Sequence, residues 1–421
     1  GPCRIPGKQN GTGLILAGKY SIFLFHSLII HCAMKHTNYM LTLLLISPFA
    51  AYAQNQEATT APEEKTIFEE VTKIQKKTDK FNLYLNMHGD FNAQWTGNHF
   101  DDGKFEMNQL RIEMKGQIND WLSYRYRQRL NTGDSPAGYR DNVLKSIDYA
   151  MIGVTVKKFQ FFLGKQCAAY GGIDFDRNPI EIYQYPEMIQ TWNNFLTGIN
   201  VSYNITPRQQ IQLQMLNSLT GTTEEMYGKF ERAKMPMVYT LNWNGNFNDV
   251  FKTRWSASFM NETRGEHLYF FAIGNEFKIT EKFGGYVDWM YSREGVDRHG
   301  VMTNIVQGSE HERNTTKTDY MSVVLRLNYR FLPAWNLVAK ATLDTAGIYE
   351  THDGINKGNY CTTWGYVGGV EYYPFKDRNL HFFAVYMGRT HNYTSRAKAL
   401  GNTDYSTNNL SVGFIWAMPV F

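Results

Sequence analysis

Past residue 50 the chain has no apolar run approaching the ~20 residues that a membrane-spanning helix requires. The mean hydropathy of −0.43 agrees, and a helical membrane bundle is excluded. Cysteine is scarce as well. Only Cys167 and Cys361 follow residue 54. They fall in different predicted strands, so no disulfide framework organises the fold, and whether the two meet stays open. The chain also lacks H-E-x-x-H, C-x-x-C and G-x-S-x-G, which leaves zinc-hydrolase, dithiol and nucleophile-elbow readings without support. No enzyme, cofactor or metal is expected on these grounds. A basic excess is missing too. The formal charge of +4 comes from Arg4, Lys8, Lys19 and Lys35, which all precede residue 54, where there is no Asp or Glu. The remainder carries 39 bases against 39 acids, so nucleic-acid binding has no electrostatic footprint, and any ion preference depends on where the charges sit.

What is abundant is alternation. From Phe81 to Trp95 one row reads Phe81, Leu83, Leu85, Met87, Gly89, Phe91, Ala93, Trp95, and the other Asn82, Tyr84, Asn86, His88, Asp90, Asn92, Gln94. Successive strand side chains point to opposite faces, so this strand has one apolar and one wet face. Its length suffices to cross a bilayer when tilted, which takes about 9–11 residues. Sixteen such segments recur to Phe421. Turn formers join them in pairs, as at Asn119-Asp120, Thr206-Pro207-Arg208 and Leu332-Pro333-Ala334, and longer connections lie between the pairs. An even strand count with short turns on one side and long loops on the other predicts an all-β, sixteen-stranded antiparallel transmembrane β-barrel over 81–421. Trp 9, Tyr 27 and Phe 27 supply interfacial aromatics, with Trp95, Trp121, Tyr203, Trp243, Tyr329, Trp335, Tyr372 and Tyr373 near predicted strand ends. A secreted β-sandwich that binds glycans is the soluble alternative.

Met34-Lys35-His36, the apolar stretch Tyr39 to Ile46 and Ala51-Tyr52-Ala53 read as a signal peptide over 34–53. Residues 1–33 stand ahead of that signal and read as an over-called start or an expression remnant. Residues 54–80 form a periplasmic spacer with one short helix, predicted over Glu64 to Thr78 from the stripe Ile67, Val71, Ile74.

The wet face carries the functional signal. A hairpin turning at Asn119-Asp120 sets Arg111 beside Arg129, Glu113 beside Arg127 and Lys115 beside Arg125. Like charges facing across strands are unfavourable without an anion or acidic partner, so this ladder points to anions in the bore. Guanidinium forks suit phosphate and carboxylate. Arg254, Arg326, Arg330 and Lys340 are further candidates for the basic wall. Alternatively, acids from an inward loop neutralise the ladder, which leaves a non-selective or sugar-passing pore. That loop is Ala169 to Asn193, with Asp174, Asp176, Arg177, Glu181 and Glu187 as candidate constriction residues.

The stretch from Phe81 to Phe421 resembles the phosphate-selective porin O and P family of Gram-negative outer membranes. The resemblance rests on the hydrophilic first strand Tyr84 to Trp95, the hairpin Arg111 to Arg129, and Leu163-Gly164-Lys165-Gln166 leading to Tyr170-Gly171-Gly172. The terminal Phe421 is similar to the last residue that barrel-assembly machinery recognises. The resemblance implies an outer-membrane location, a sixteen-stranded barrel, a homotrimer in contact with outer-membrane lipid, and passive diffusion of small anionic or hydrophilic solutes.

Overall fold

Alternation of the kind read from Phe81 to Trp95 closes, in a computed structural model describing residues 67–73, 75–76, 78–132 and 140–421, into a single antiparallel barrel. Its strands are β1 (Asn82–Thr96), β2 (His99–Asn119), β3 (Leu122–Arg129), β4 (Ile147–Val156), β5 (Phe159–Cys167), β6 (Phe195–Thr206), β7 (Gln209–Asn217) and β8 (Arg232–Phe247). The second half comprises β9 (Phe251–Thr263), β10 (Glu266–Lys278), β11 (Phe283–Val296), β12 (Thr316–Leu332), β13 (Trp335–Ile348), β14 (Gly358–Tyr372), β15 (His381–Tyr393) and β16 (Tyr405–Pro419). Each strand pairs with its sequence neighbours, and β1 pairs with β16, so no sheet edge is left open. The segments assigned to leader and signal peptide lie outside the described residues.

Period two dictates which row faces lipid. Register links Leu213, Leu241, Ala257, Phe271, Tyr291 and Met321 side by side across β7 to β12. Their inward neighbours Asn242, Ser258, Ser292 and Ser322 are buried inside the barrel. An aromatic row follows the short-turn rim, where Trp243 lies 5.1 Å from Trp255 and Trp335 lies 4.8 Å from Tyr372 between ring centroids. On β12 the outer row runs Tyr329, Leu327, Leu325, Val323, Met321, with Leu325 registered against Val287 and Ala341. Leu325→Arg at the middle of this row is expected to cost about 2–4 kcal/mol of folding free energy. Urea titration of folding into lipid vesicles measures it.

Two connections on the loop side depart from the predicted long-short alternation. β2 begins at His99, well before the predicted Leu110, so β1 and β2 form one long hairpin turning at Gly97, φ +56°. Register shifts at His88/Gly89 and Gln94/Trp95 break the period there and hide the strand in the sequence. Phe91 and Phe105, 5.0 Å apart, and Trp95 and Phe100, 5.5 Å apart, hold the extension together. β9 and β10 likewise meet in a tight turn at Arg264-Gly265, φ +83° at the glycine.

Chain closure uses the last residues. Leu83 N–H donates to Phe421 O at 2.7 Å, and Val420 N–H donates to Leu83 O at 2.7 Å. Pro419 sits at the very end of β16, opposite Tyr84, where a missing donor is tolerated. The helix α1 (Ile67–Thr72) stops at Thr72, before the predicted end at Thr78, and ties to the barrel through Glu70 and Arg378.

Candidate pore constriction

The predicted ladder is present in register: Arg111 opposite Arg129, Glu113 opposite Arg127, Lys115 opposite Arg125. Its charge partner is a residue the sequence reading missed. Asp148 of β4 is fully buried, and three guanidinium groups converge on it. Arg127 Nε lies 3.0 Å, Arg111 Nε 3.2 Å and Arg129 Nε 3.2 Å from its carboxylate. Glu113 takes Arg125 at 2.7 Å and Asn86 Nδ2–H at 3.2 Å. Among the described residues the wall therefore holds five cations and two carboxylates, and those two acids come from the barrel wall rather than from the inward loop. Tyr149 lies under two of the cations, its ring centroid 3.8 Å from Arg125 Cζ and 4.8 Å from Arg127 Cζ. A stacked guanidinium keeps its edge free to donate.

The predicted inward loop does enter the barrel. Gly171 and Gly172 adopt φ of +77° and +75°, and a Cβ on Gly171 would meet Ser256 Oγ at 2.4 Å, so the chain hugs the wall as it turns in. Asp288 of β11 accepts Ile173 N–H at 2.8 Å and Asp174 N–H at 2.7 Å. Lys340 of β13 donates to Asp174 at 2.6 Å and to Gln184 O at 2.7 Å. Arg326 of β12 donates to Glu181 O at 3.2 Å, and Tyr183 donates to Glu371 at 2.9 Å. His88 of β1 contacts Ile180 O at 2.9 Å, and His391 of β15 meets Glu187 at 2.5 Å. These anchors run from β9 round to β1, so the loop covers that arc of the wall and the ladder lies beyond it.

This arrangement divides the predicted site residues. Asp174 and Glu187 are anchors, as are Arg326 and Lys340, which lie buried beneath the loop. Asp176, with 58% of its side chain exposed, and Glu181, with 45%, remain accessible to solutes. Arg254 pairs with Asp176 at 3.3 Å, and Arg177 with Glu181 at 3.6 Å. Arg330 sits at the short-turn rim, stacked 4.3 Å from the Tyr373 ring. Tyr373 accordingly faces Arg330 and Glu371 rather than the lipid belt. Asp174-x-Asp176-x-Asn178, a superficial calcium-loop pattern, has its two carboxylates engaged by Lys340 and Arg254, and Asn178 caps the turn at Pro179–Glu181.

Between ladder and loop anchors the wall is made of amides. Asn242 Nδ2–H donates to Gln212 at 3.0 Å and to Asn244 at 2.8 Å, Asn244 donates to Gln210 at 3.1 Å, and Gln210 donates to Asn204 at 2.9 Å. Only their inward row marks them in the sequence; nothing there signals a connected network. Beside them a cavity of about 470 Å³ is lined by Arg177, Arg208, Lys252 and Arg254 against Asp176 and Glu276.

No curated protein matches the chain significantly. Among solved structures, it resembles the channel DcaP of Acinetobacter baumannii at 12% identity and TM-score 0.51, covering 80% of this chain and 96% of that one. An anion-selective porin from Comamonas acidovorans matches at 7% identity and TM-score 0.50, covering 80% and 98%. A loop-deletion mutant of OmpT from Vibrio cholerae matches at 12% and 0.51, covering 80% and 98%. At these identities the likeness concerns the fold. The family model for phosphate-selective porin O and P matches residues 81–418, nearly the whole barrel. The chain therefore belongs to the phosphate-selective porin O and P family, and is an outer-membrane porin of Gram-negative type through which solutes diffuse passively.

Proposed function

We propose that this porin favours small anions, of phosphate or carboxylate type, and acts as a channel without catalytic work. The observation that carries this reading is the wall of Arg111, Lys115, Arg125, Arg127 and Arg129, whose five charges meet, among the described residues, only Glu113 and Asp148. Nη1 of Arg111, moreover, is buried without a hydrogen-bond acceptor among the described residues, a state that an anion relieves. The cavity on the short-turn side repeats the excess, with four cations against two acids. A solute that enters from the loop side passes the ladder and the loop residues Asp176 and Glu181 through weak repeated contacts that permit exit as well as entry.

The amide wall supports a second reading, passage of neutral polar solutes such as sugars, because amides exchange hydrogen bonds with hydroxyls without a charge penalty. Zero-current potentials in a salt gradient, together with vesicle-swelling rates for sugars, separate the two. Cation preference would defeat the first, and a sugar-independent swelling rate the second. The proposal extends to a homotrimer in outer-membrane lipid, to folding by barrel-assembly machinery that reads Phe421, and to export through residues 34–53 with 54–80 as a periplasmic spacer. Crosslinking in native membranes tests the oligomer, with a purely monomeric product as the contrary outcome.

A further inference from the structure

On the outer face of the barrel, away from the lumen, an apolar row ends in charge. Along β11 the lipid-facing row runs Val287, Trp289, Tyr291 and then Arg293, with Tyr269 of β10 and Asp319 of β12 beside the arginine in register. Lys317 and Tyr349 continue this level across β12 and β13, where Tyr349 N–H donates to Lys317 O at 2.9 Å. Two cations thus crown the row.

Height decides what surrounds them. Short turns of such barrels lie on the periplasmic side and longer loops outside, so this end of the row meets the outer leaflet. From Tyr329 at the lower rim, the outer row of β12 climbs through Leu327, Leu325, Val323 and Met321 to Asp319. At about 3.3 Å per residue and a tilt near 40° that climb is about 25 Å, the height of the apolar band. Arg293 and Lys317 therefore stand among the headgroups.

Neither cation is occupied by the protein. Arg293 Cζ lies 4.0 Å from the Tyr349 ring centroid and Lys317 Nζ 5.9 Å, and neither forms an ion pair or a side-chain hydrogen bond with another described residue. Asp319 leans over Gly347, where a Cβ would meet its Oδ1 at 2.9 Å. Stacking on a tyrosine fixes the guanidinium plane and leaves its N–H edge to donate. Beside Arg293 a groove of about 440 Å³ opens on the barrel exterior, lined by the aromatic rings of Tyr269, Phe271 and Tyr291. Glu266 forms its margin, lying over Gly295.

We infer that this groove binds one phosphorylated glycolipid of the outer leaflet. Its phosphate sits on Arg293 and Lys317, a sugar hydroxyl on Glu266, and an acyl chain on Tyr269 and Phe271. The mixture of charges selects that chemistry. A purely anionic ligand meets Glu266 and Asp319 unfavourably, whereas a sugar offers carboxylates its hydroxyl donors beside the phosphate. A guanidinium fork suits phosphate, and basic residues at a membrane surface contact lipid headgroups.

The test uses the full barrel in maltoside detergent, freed of co-purified lipid and mixed with lipid A, an acylated glucosamine disaccharide carrying two phosphates. Native mass spectrometry is expected to show one lipid A retained per chain. Retention of dephosphorylated lipid A is expected to be weaker by about tenfold or more, the weight of one charge-assisted hydrogen bond. The variant R293Q/K317Q is expected to lose lipid A by the same factor. K104Q/K398Q, which removes two loop-side cations already paired with Glu106 and Asp404, is expected to retain it. Equal retention of the dephosphorylated lipid overturns the phosphate contact, and equal retention of phosphatidylglycerol overturns the glycolipid. Displacement of lipid A by millimolar inorganic phosphate overturns both in favour of a free-phosphate site. Undiminished retention by R293Q/K317Q, in a barrel that still shows heat-modifiable migration, places the lipid elsewhere. Should that variant fail to fold, the lipid comparisons on the wild-type barrel decide.

Discussion

Replacing Arg125, Arg127 and Arg129 together with Ala is expected to move the zero-current potential in a potassium chloride gradient from the anion side to neutrality or beyond. The wall then keeps Arg111 and Lys115 against Glu113 and Asp148, so its local charge falls from three positive to zero. Arg125 and Arg129, with 30% and 29% of their side chains exposed, each act on a passing monovalent ion with about 1 kcal/mol at ~4 Å in water, so removing them together with the buried Arg127 lowers anion current roughly tenfold. Phosphate, with its higher charge, loses more than chloride. The variant is built to fold, because Arg111 remains at 3.2 Å and Asp148 is not left alone. Planar-bilayer recording in salt gradients checks it. Unchanged selectivity would place the ion path away from the ladder.

The second large effect concerns the loop. Lys340→Ala removes the cation that holds Asp174, a carboxylate with no exposed surface. Removing one partner of a buried ion pair costs about 3–5 kcal/mol, more than the one or so contributed by each remaining hydrogen bond. The stretch around Ile173 to Gln184 is therefore expected to leave the wall, with larger and noisier single-channel conductance. The barrel itself keeps its migration behaviour, since no ladder hydrogen bond between strands is touched. The double variant D174N/K340A removes both charges and is expected to recover part of the wild-type conductance. Wild-type conductance in K340A would mean that Asp288, Arg326 and Tyr183 suffice to hold the loop.

Lys340 and Asp174, 166 positions apart, show how little of the loop's anchorage a single sequence exposes, as does Asp288 with the amides of Ile173 and Asp174. Arg326 and Lys340 are correctly placed on the inward row by alternation. Their engagement by the loop was not legible, because a row assignment says which face a residue occupies and nothing about what covers it.

Local physics reached further in the hairpins. The partners of Arg111, Glu113 and Lys115 follow from period two and the turn at Asn119-Asp120, because register in a short hairpin depends on its own turn alone. The lipid-facing row and the even strand count follow in the same way. Asp148 did not, because it reaches the ladder after a long connection and a register shift at Arg127/Gln128, where alternation loses its phase. What the chain determined by itself is thus the zigzag of each strand, and with it barrel and lumen. Which acid quenches which arginine, and where the inward loop rests, were decided by closure of the barrel, which alone brings distant inward rows within reach of one another.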